Sequence, residues 1–224
     1  MPVLEGLARA LRLSPDERAH LFHLAGHPDP PRTHPTHTLA PAVLHLLDRM
    51  DDTAAFVLDP AGFVLAWNPL AAALIADFSQ WPPRDRNLVW QVFCGTRGAS
   101  ADYSPQHWEQ FARECVADLR AAAARYPNDP TIGTLASRLR QESAIFATWW
   151  EQHQVENRRG GRKRLHHPAV GDLDLDYTIL HVPDQDQRII IYSAAPGSPS
   201  AQAMRLLAVL GTQNLTAEQT PRPS

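Results

Sequence analysis

An α+β domain, with an antiparallel sheet and helices gathered mainly on one face, is the fold class that this 224-residue sequence predicts. Three observations carry it. Two short apolar runs, Ala55 to Leu58 and Phe63 to Ala66, flank an Asp-Pro-Ala-Gly turn and read as a hairpin. A long block of helical periodicity follows. After Gly160-Gly161 the period changes to two, and RKRLHH, DLDLDYTILHV and RIIIYSAA read as three successive strands, with Asp184 to Gln187 turning between the last two.

The remaining elements are justified in chain order. In VLEGLARALRL, Leu4, Leu7, Ala8 and Leu11 recur at helical spacing and mark one face as buried. Ser14-Pro15-Asp16-Glu17 then supplies a hydroxyl cap, a proline at the first helical position and a Glu three residues after the cap, and Gly26 offers a stop. HPDPPRTHPTH holds too many prolines for a helix or a central strand and reads as a semi-extended linker with a domain boundary in it. Helical periodicity resumes from Ala40 to Met50 through Val43, Leu44 and Leu47. Asn68 is placed to cap the helix that Pro69 begins. Arg86 to Cys94 is short and aromatic. Ser104-Pro105 opens a long helix with Trp108, Phe111, Cys115 and Leu119 on one face. Asp129-Pro130 caps the next helix, and Ser143 to His153 carries Ile145, Phe146, Trp149 and Trp150. Ser198-Pro199 caps a final helix ending near Gly211, before a polar tail. The expected organisation is therefore a helical segment at 1–26, a linker at 27–39, the main domain at 40–211 and a disordered tail at 212–224.

Composition narrows function by exclusion. A net charge of -3 gives no global electrostatic reason to bind nucleic acid or an anionic membrane. Cys94 and Cys115 are the only cysteines and form no CxxC pair, so a cytoplasmic setting is expected; no apolar run is long enough to span a bilayer. Lys163 is the only lysine, and arginine with abundant Ala and Pro points to a GC-rich bacterial genome. There is no GxSxG, HExxH, Walker loop or GxGxxG, so no enzyme is expected and no cofactor is implied.

The stretches LARALRLSPDERAHLFHLAG, LAWNPLAAALIADF, RNLVWQVF, RLRQESAIFATWWEQHQV, HPAVGDLDLDYTIL and IYSAAPGSPSAQAMRLLAVL carry a family resemblance. They run in family order over most of residues 3 to 210, and the chain resembles the C-terminal part of an MmyB-like bacterial transcriptional regulator. That resemblance implies an Xre-type helix-turn-helix followed by a PAS-like ligand-binding domain, whose five-stranded sheet joins the strands at 55–66 with those at 162–194. It implies a small amphipathic, fatty-acid-like ligand. Residues 3–26 look like only the last helices of the DNA-binding domain. DNA contact is thus expected only through a full-length helix-turn-helix whose reading helix is missing here, and a homodimer is left open.

Against that background the candidate ligand-binding residues are Trp67, Asn68, Arg86, Trp90, Phe93, Trp108, Phe111, Phe146, Trp149, Trp150, Tyr177 and Tyr192. The helical aromatics offer more apolar wall than a small sheet needs, which suits an amphipathic ligand. Arg86, Asn87 and Arg138 are candidate polar anchors, while Asn68 also reads as a helix cap and Trp67 as core. Asp172, Asp174 and Asp176 read as the polar face of a half-buried strand. His20, His23, His27, His34 and His37 read as surface histidines rather than zinc ligands. Arg158, Arg159, Arg162, Lys163 and Arg164 read as a solvated loop or hairpin edge. The rival to ligand sensing is a dimerisation or interaction module with a filled core. A hydrolase built on His166, His167 and His181 is a third reading.

Overall fold

The computed structural model describes residues 2–27, 34–95, 105–152, 160–182 and 185–218. Ser104, His153, Arg158, Arg159, Asp184, residues 28–33 of the linker and the chain beyond 218 lie outside the described residues. The chain divides into two compact units, Met1–Thr33 and His34–Ser224.

The first unit is a pair of helices, α1 (Pro2–Ala10) and α2 (Pro15–Leu24). The expected capping box is present: the Ser14 side chain accepts from the Glu17 N–H, and the Glu17 carboxylate accepts from the Ser14 N–H at 2.8 Å. These bonds also hold the Glu17 carboxyl below its ordinary pKa. Gly26 takes a positive φ of 69° at the helix end, as a glycine stop does. The apolar face expected on α1 is only partly realised. Ala8 is buried, whereas Leu7 and Leu11 are exposed, because one partner helix covers only a narrow stripe.

In the second unit, β1 (Ala54–Leu58), β2 (Val64–Trp67), β3 (Gly160–His167), β4 (Gly171–Val182) and β5 (Gln187–Ser193) form one antiparallel sheet in the order β2-β1-β5-β4-β3. The pairing of β1 with β5, with Phe56 opposite Ile190, joins the two sequence-distant strand groups as a PAS-like sheet requires. Residues on one sheet face can be followed strand to strand. Trp67, Phe56, Ile190 and Ile179 lie in one row, and Ala54, Tyr192, Tyr177 and Gly161 in the next.

That face packs against α4 (Pro69–Leu74), α5 (Leu88–Cys94), α6 (Pro105–Arg125), α7 (Pro130–Glu142), α8 (Ala144–Glu151) and α9 (Pro199–Glu218) in one continuous apolar core. The opposite face carries a smaller core, in which Val43 and Leu47 of α3 (Pro41–Asp48) cover Ala55, Val57 and Ile189. Helices therefore lie mainly on one face. The alternation of β4 sends Leu173, Leu175, Tyr177 and Ile179 inward and the three aspartates outward. Two boundaries differ from expectation. The last helix continues through Gly211 to Glu218, since one glycine weakens a helix by only about 1 kcal/mol. The short aromatic helix starts at Leu88, with Asn87 rather than Arg86 at its cap.

Candidate functional site

The aromatic candidates fall into two groups on the helix-covered face. Between α5, α6 and α8, Phe93 meets Phe146 edge-on at 5.2 Å, Trp149 at 6.0 Å and Trp108 at 6.3 Å, and Phe146 stacks on Trp150 at 5.4 Å. On the sheet, Trp67 packs on Phe78 at 5.3 Å, Phe78 on Phe56 at 5.5 Å, Phe56 on Tyr192 at 6.3 Å, and Tyr192 on Tyr177 at 6.2 Å. Such offset and edge-on pairs are the favoured ring geometries. Phe111 of α6 approaches the sheet group through Lys163. Sequence reasoning missed Phe56, on β1, and the pair Phe78 and Trp81, which lie in and just after a single 3-10 turn too short to show a helical period.

The half-buried tryptophans carry arginines over their faces: Arg86 on Trp67, Arg138 on Trp90, Arg113 on Trp149 and Arg120 on Trp150, at 5.3, 4.0, 4.3 and 5.2 Å. Two of the three anchor candidates are therefore placed. Arg86 also donates to the Trp81 carbonyl at 3.3 Å, and Arg138 pairs with Asp85 at 3.1 Å. The third, Asn87, is buried and caps α5 while donating to the Ala61 carbonyl, which ties that helix to the β1–β2 turn. Gly62 in that turn has a φ of 89°, and a side chain there would press on Val89 at 3.1 Å.

Asn68 is only 2% exposed and serves four backbone groups. Its Oδ1 accepts from the N–H of Ala55 at 3.0 Å and of Ala71 at 2.9 Å; its Nδ2 donates to the carbonyls of Met50 at 2.8 Å and Thr53 at 2.7 Å. An amide has two acceptor sites and two donor protons, so none is left for a ligand. Trp67, the neighbouring residue of this turn, is half-buried, packed on Phe78 with Arg86 over its ring.

A second polar cluster closes one end of the sheet. Residues just after the unit boundary are held there: His34 bonds Asp129 at 3.0 Å, His37 lies 3.3 Å from Asp59, and the Gln187 amide donates to the carbonyls of Thr36 and Thr38. Asp59 is fully buried, and desolvation pushes its pKa up to about 6 despite a bond from the Phe63 N–H and the charges of His37 and Arg188. Arg188 is itself paired with Asp118 of α6 at 2.6 Å. His34 and His37 are exposed, as read from sequence, and pair with the buried carboxylates of Asp129 at the α7 cap and of Asp59 just after β1.

Of the basic run, Arg162, Lys163 and Arg164 lie on β3, the edge strand that pairs with β4, with alternate residues on opposite faces, so the outward arginines fit the expected hairpin edge and Lys163 alone departs from it. Arg162 and Arg164 point outward, where Arg162 pairs with Asp176, Arg164 with Asp172 and Asp174, and His166 with Asp172 at 2.8 Å. Lys163 points inward and is 8% exposed, with its ammonium 3.9 Å from the Phe111 ring centre and 4.7 Å from that of Tyr177. Gly161, opposite Tyr177, leaves room for the ring that closes this box: a Cβ there would stand 3.2 Å from it. His167 bonds the Ala73 carbonyl and His181 is exposed, so the three histidines do not converge.

Among the described residues no three His, Cys, Asp or Glu side chains gather as metal ligands, and no helix is long and apolar enough to cross a membrane. An open groove of about 630 Å³ between α7 and α8 is lined by Ser137, Arg140, Gln141, Ala147, Thr148 and Glu151. Its lining is polar, and Arg140 pairs with Glu151 at 3.0 Å, so it does not have the apolar character of the ring groups. Residues 39–207 match the family described as the MmyB-like transcription regulator ligand binding domain. No curated protein matches the chain.

Proposed function

Because the chain belongs to the MmyB-like transcription regulator ligand binding domain family, we propose that it senses a small amphipathic, fatty-acid-like molecule held between the sheet and α5, α6 and α8. The observation that carries this reading is the gathering of the two ring groups, drawn from distant segments, on one helix-covered face, with half-exposed tryptophans at its edge. An alkyl chain gains from apolar walls, and the arginines over those tryptophans keep the rim compatible with a charged head.

A ligand acts as a signal only through differential binding to two arrangements of the protein. The tethered stretch at 34–38 and α3 are the route by which a change in the sheet reaches the preceding segment, and through it the DNA-binding function of the regulator. Gln187 and Asp59 lie at the ends of β5 and β1, so a shift of those strands moves the tether.

The test is quenching of tryptophan fluorescence by tetradecanoate, repeated in Trp149→Ala and Trp67→Ala. Loss of a ring wall weakens binding about tenfold in each variant. Unchanged affinity in both, with the circular dichroism spectrum intact, refutes the placement. The edge-on packing of Phe93 on Phe146 and Trp149 favours a second reading, in which the rings fill the core and the domain serves association alone. Under that reading the wild-type chain binds no amphipath, and dilution dissociates a dimer.

A further inference from the structure

Asp59 is fully buried just after β1, against the segment by which the chain enters the second unit. Leu58 pairs with Arg188, so Asp59 and the equally buried Gln187 follow on at the same end of β1 and β5. Both reach the same stretch of the entry segment. The Gln187 amide donates to the Thr36 carbonyl at 2.8 Å and to that of Thr38 at 3.0 Å. Between those two carbonyls, His37 sets its Nδ1 3.3 Å from Asp59 Oδ2. His37 is exposed, so displacing this segment is a short route for water to the carboxylate.

The surroundings suit a neutral carboxyl. Oδ1 accepts from the Phe63 N–H at 2.8 Å, but Oδ2 has no aligned donor, and the Gln187 Oε1 is buried without one. A protonated carboxyl brings a donor to a place short of donors, and an ionised one brings only a further acceptor. The charges that face Asp59 are His37 from the entry segment and Arg188 from β5, and Arg188 is already paired with Asp118 of α6 at 2.6 Å. Desolvation outweighs both and lifts the Asp59 pKa from 3.8 to about 6. Arg188 keeps its charge throughout, whereas His37 is an imidazole and can discharge.

We propose that Asp59 and Gln187 form a proton-controlled latch on residues 36–38, closed while Asp59 holds its proton and loosened when the proton leaves. This input needs no amphipath and does not rest on the sensing function. It acts on the stretch that the ligand signal is proposed to use, and so gives that route a second control. Opening hydrates the carboxylate and returns its pKa to the ordinary 3.8. The stability of the closed latch is therefore fully present below 3.8 and is lost as pH rises through 6, and the open population grows about tenfold between pH 5 and pH 8. Discharge of His37 acts in the same direction, because it removes a cation from beside the buried anion.

The experiment follows solvent exchange of the Gln187 side-chain amide protons by NMR in the full chain from pH 5 to pH 8, corrected for the intrinsic pH dependence of amide exchange. Backbone amides of β4 report global opening. Wild type is expected to open at Gln187 more often than at β4 at every pH, and about tenfold more often at pH 8 than at pH 5. Asp59→Asn is expected to abolish the rise, and His37→Gln to steepen it. Opening that is flat with pH in wild type, or a rise that persists in Asp59→Asn, overturns the proposal. So does exchange at Gln187 no faster than at β4, which leaves no local latch. If Asp59→Asn does not fold, the exposed His37→Gln decides: a steeper rise supports the latch, and an unchanged one overturns it.

Discussion

Replacing Asn68 by alanine tests whether the β2–α4 turn is a structural joint. The side chain satisfies two N–H groups and two carbonyls from three separate segments, and it is almost wholly buried. Loss of the helix cap at the Ala71 N–H costs about 1 kcal/mol. The Ala55 N–H and the carbonyls of Met50 and Thr53 are left without partners at about 1 kcal/mol each, taking the low end because the carbonyls are only part-buried. The expected total is about 4 kcal/mol, a large share of the roughly 5–15 kcal/mol that holds a domain folded. For a unit of this size that lowers the melting temperature by roughly 10 °C. Asn68→Asp retains the acceptor but sets a carboxylate against two carbonyl oxygens, so it should be no better than alanine at neutral pH. The assay is urea unfolding followed by circular dichroism. A loss below about 1 kcal/mol for Asn68→Ala would refute the four-bond account of this joint.

Burial raises the Asp59 pKa to about 6, above the 3.8 of a free carboxyl, so the stability tied to its protonated form is present below the unfolded value and is lost as pH rises through 6. Asp59→Asn should therefore gain on wild type by about 3 kcal/mol between pH 3.8 and pH 7, and paired urea midpoints with no pH-dependent gap would contradict this. Gly161→Val should destabilise the fold by about 1–3 kcal/mol, because the new side chain meets the Tyr177 ring, and a melting temperature equal to wild type would refute that close approach. Gln187→Leu removes both bonds to Thr36 and Thr38, so amide exchange at residues 34–40 should quicken while β4 keeps its protection; unaltered exchange there would show that the tether is held by other contacts.

Local signals were legible in the sequence where a single residue type does a short-range job. Ser14, Asn68 and Asp129 each cap the helix that follows, as side-chain chemistry dictates. Alternation revealed the strands and the outward aspartates. What escaped were consequences of long-range pairing. The approach of His37 to Asp59 and of Gln187 to Thr36 depends on where β5 inserts, and no local pattern encodes that. Lys163 was hidden for another reason. Five basic residues read together as a charge run, although the period of two already set Lys163 opposite its neighbours Arg162 and Arg164. The aromatic candidates were found as a set, but their division into a helical and a sheet group follows from packing. Asn68 was found for two roles, and its saturated hydrogen bonding leaves the structural one.

Native mass spectrometry of the purified chain, with solvent extraction of any bound molecule and addition of saturating tetradecanoate to the emptied protein, tests the sensing function most directly. The account predicts a one-to-one adduct of an amphipathic acid, either carried through purification or restored by the added acid. A mass equal to the bare chain both before and after tetradecanoate would contradict it.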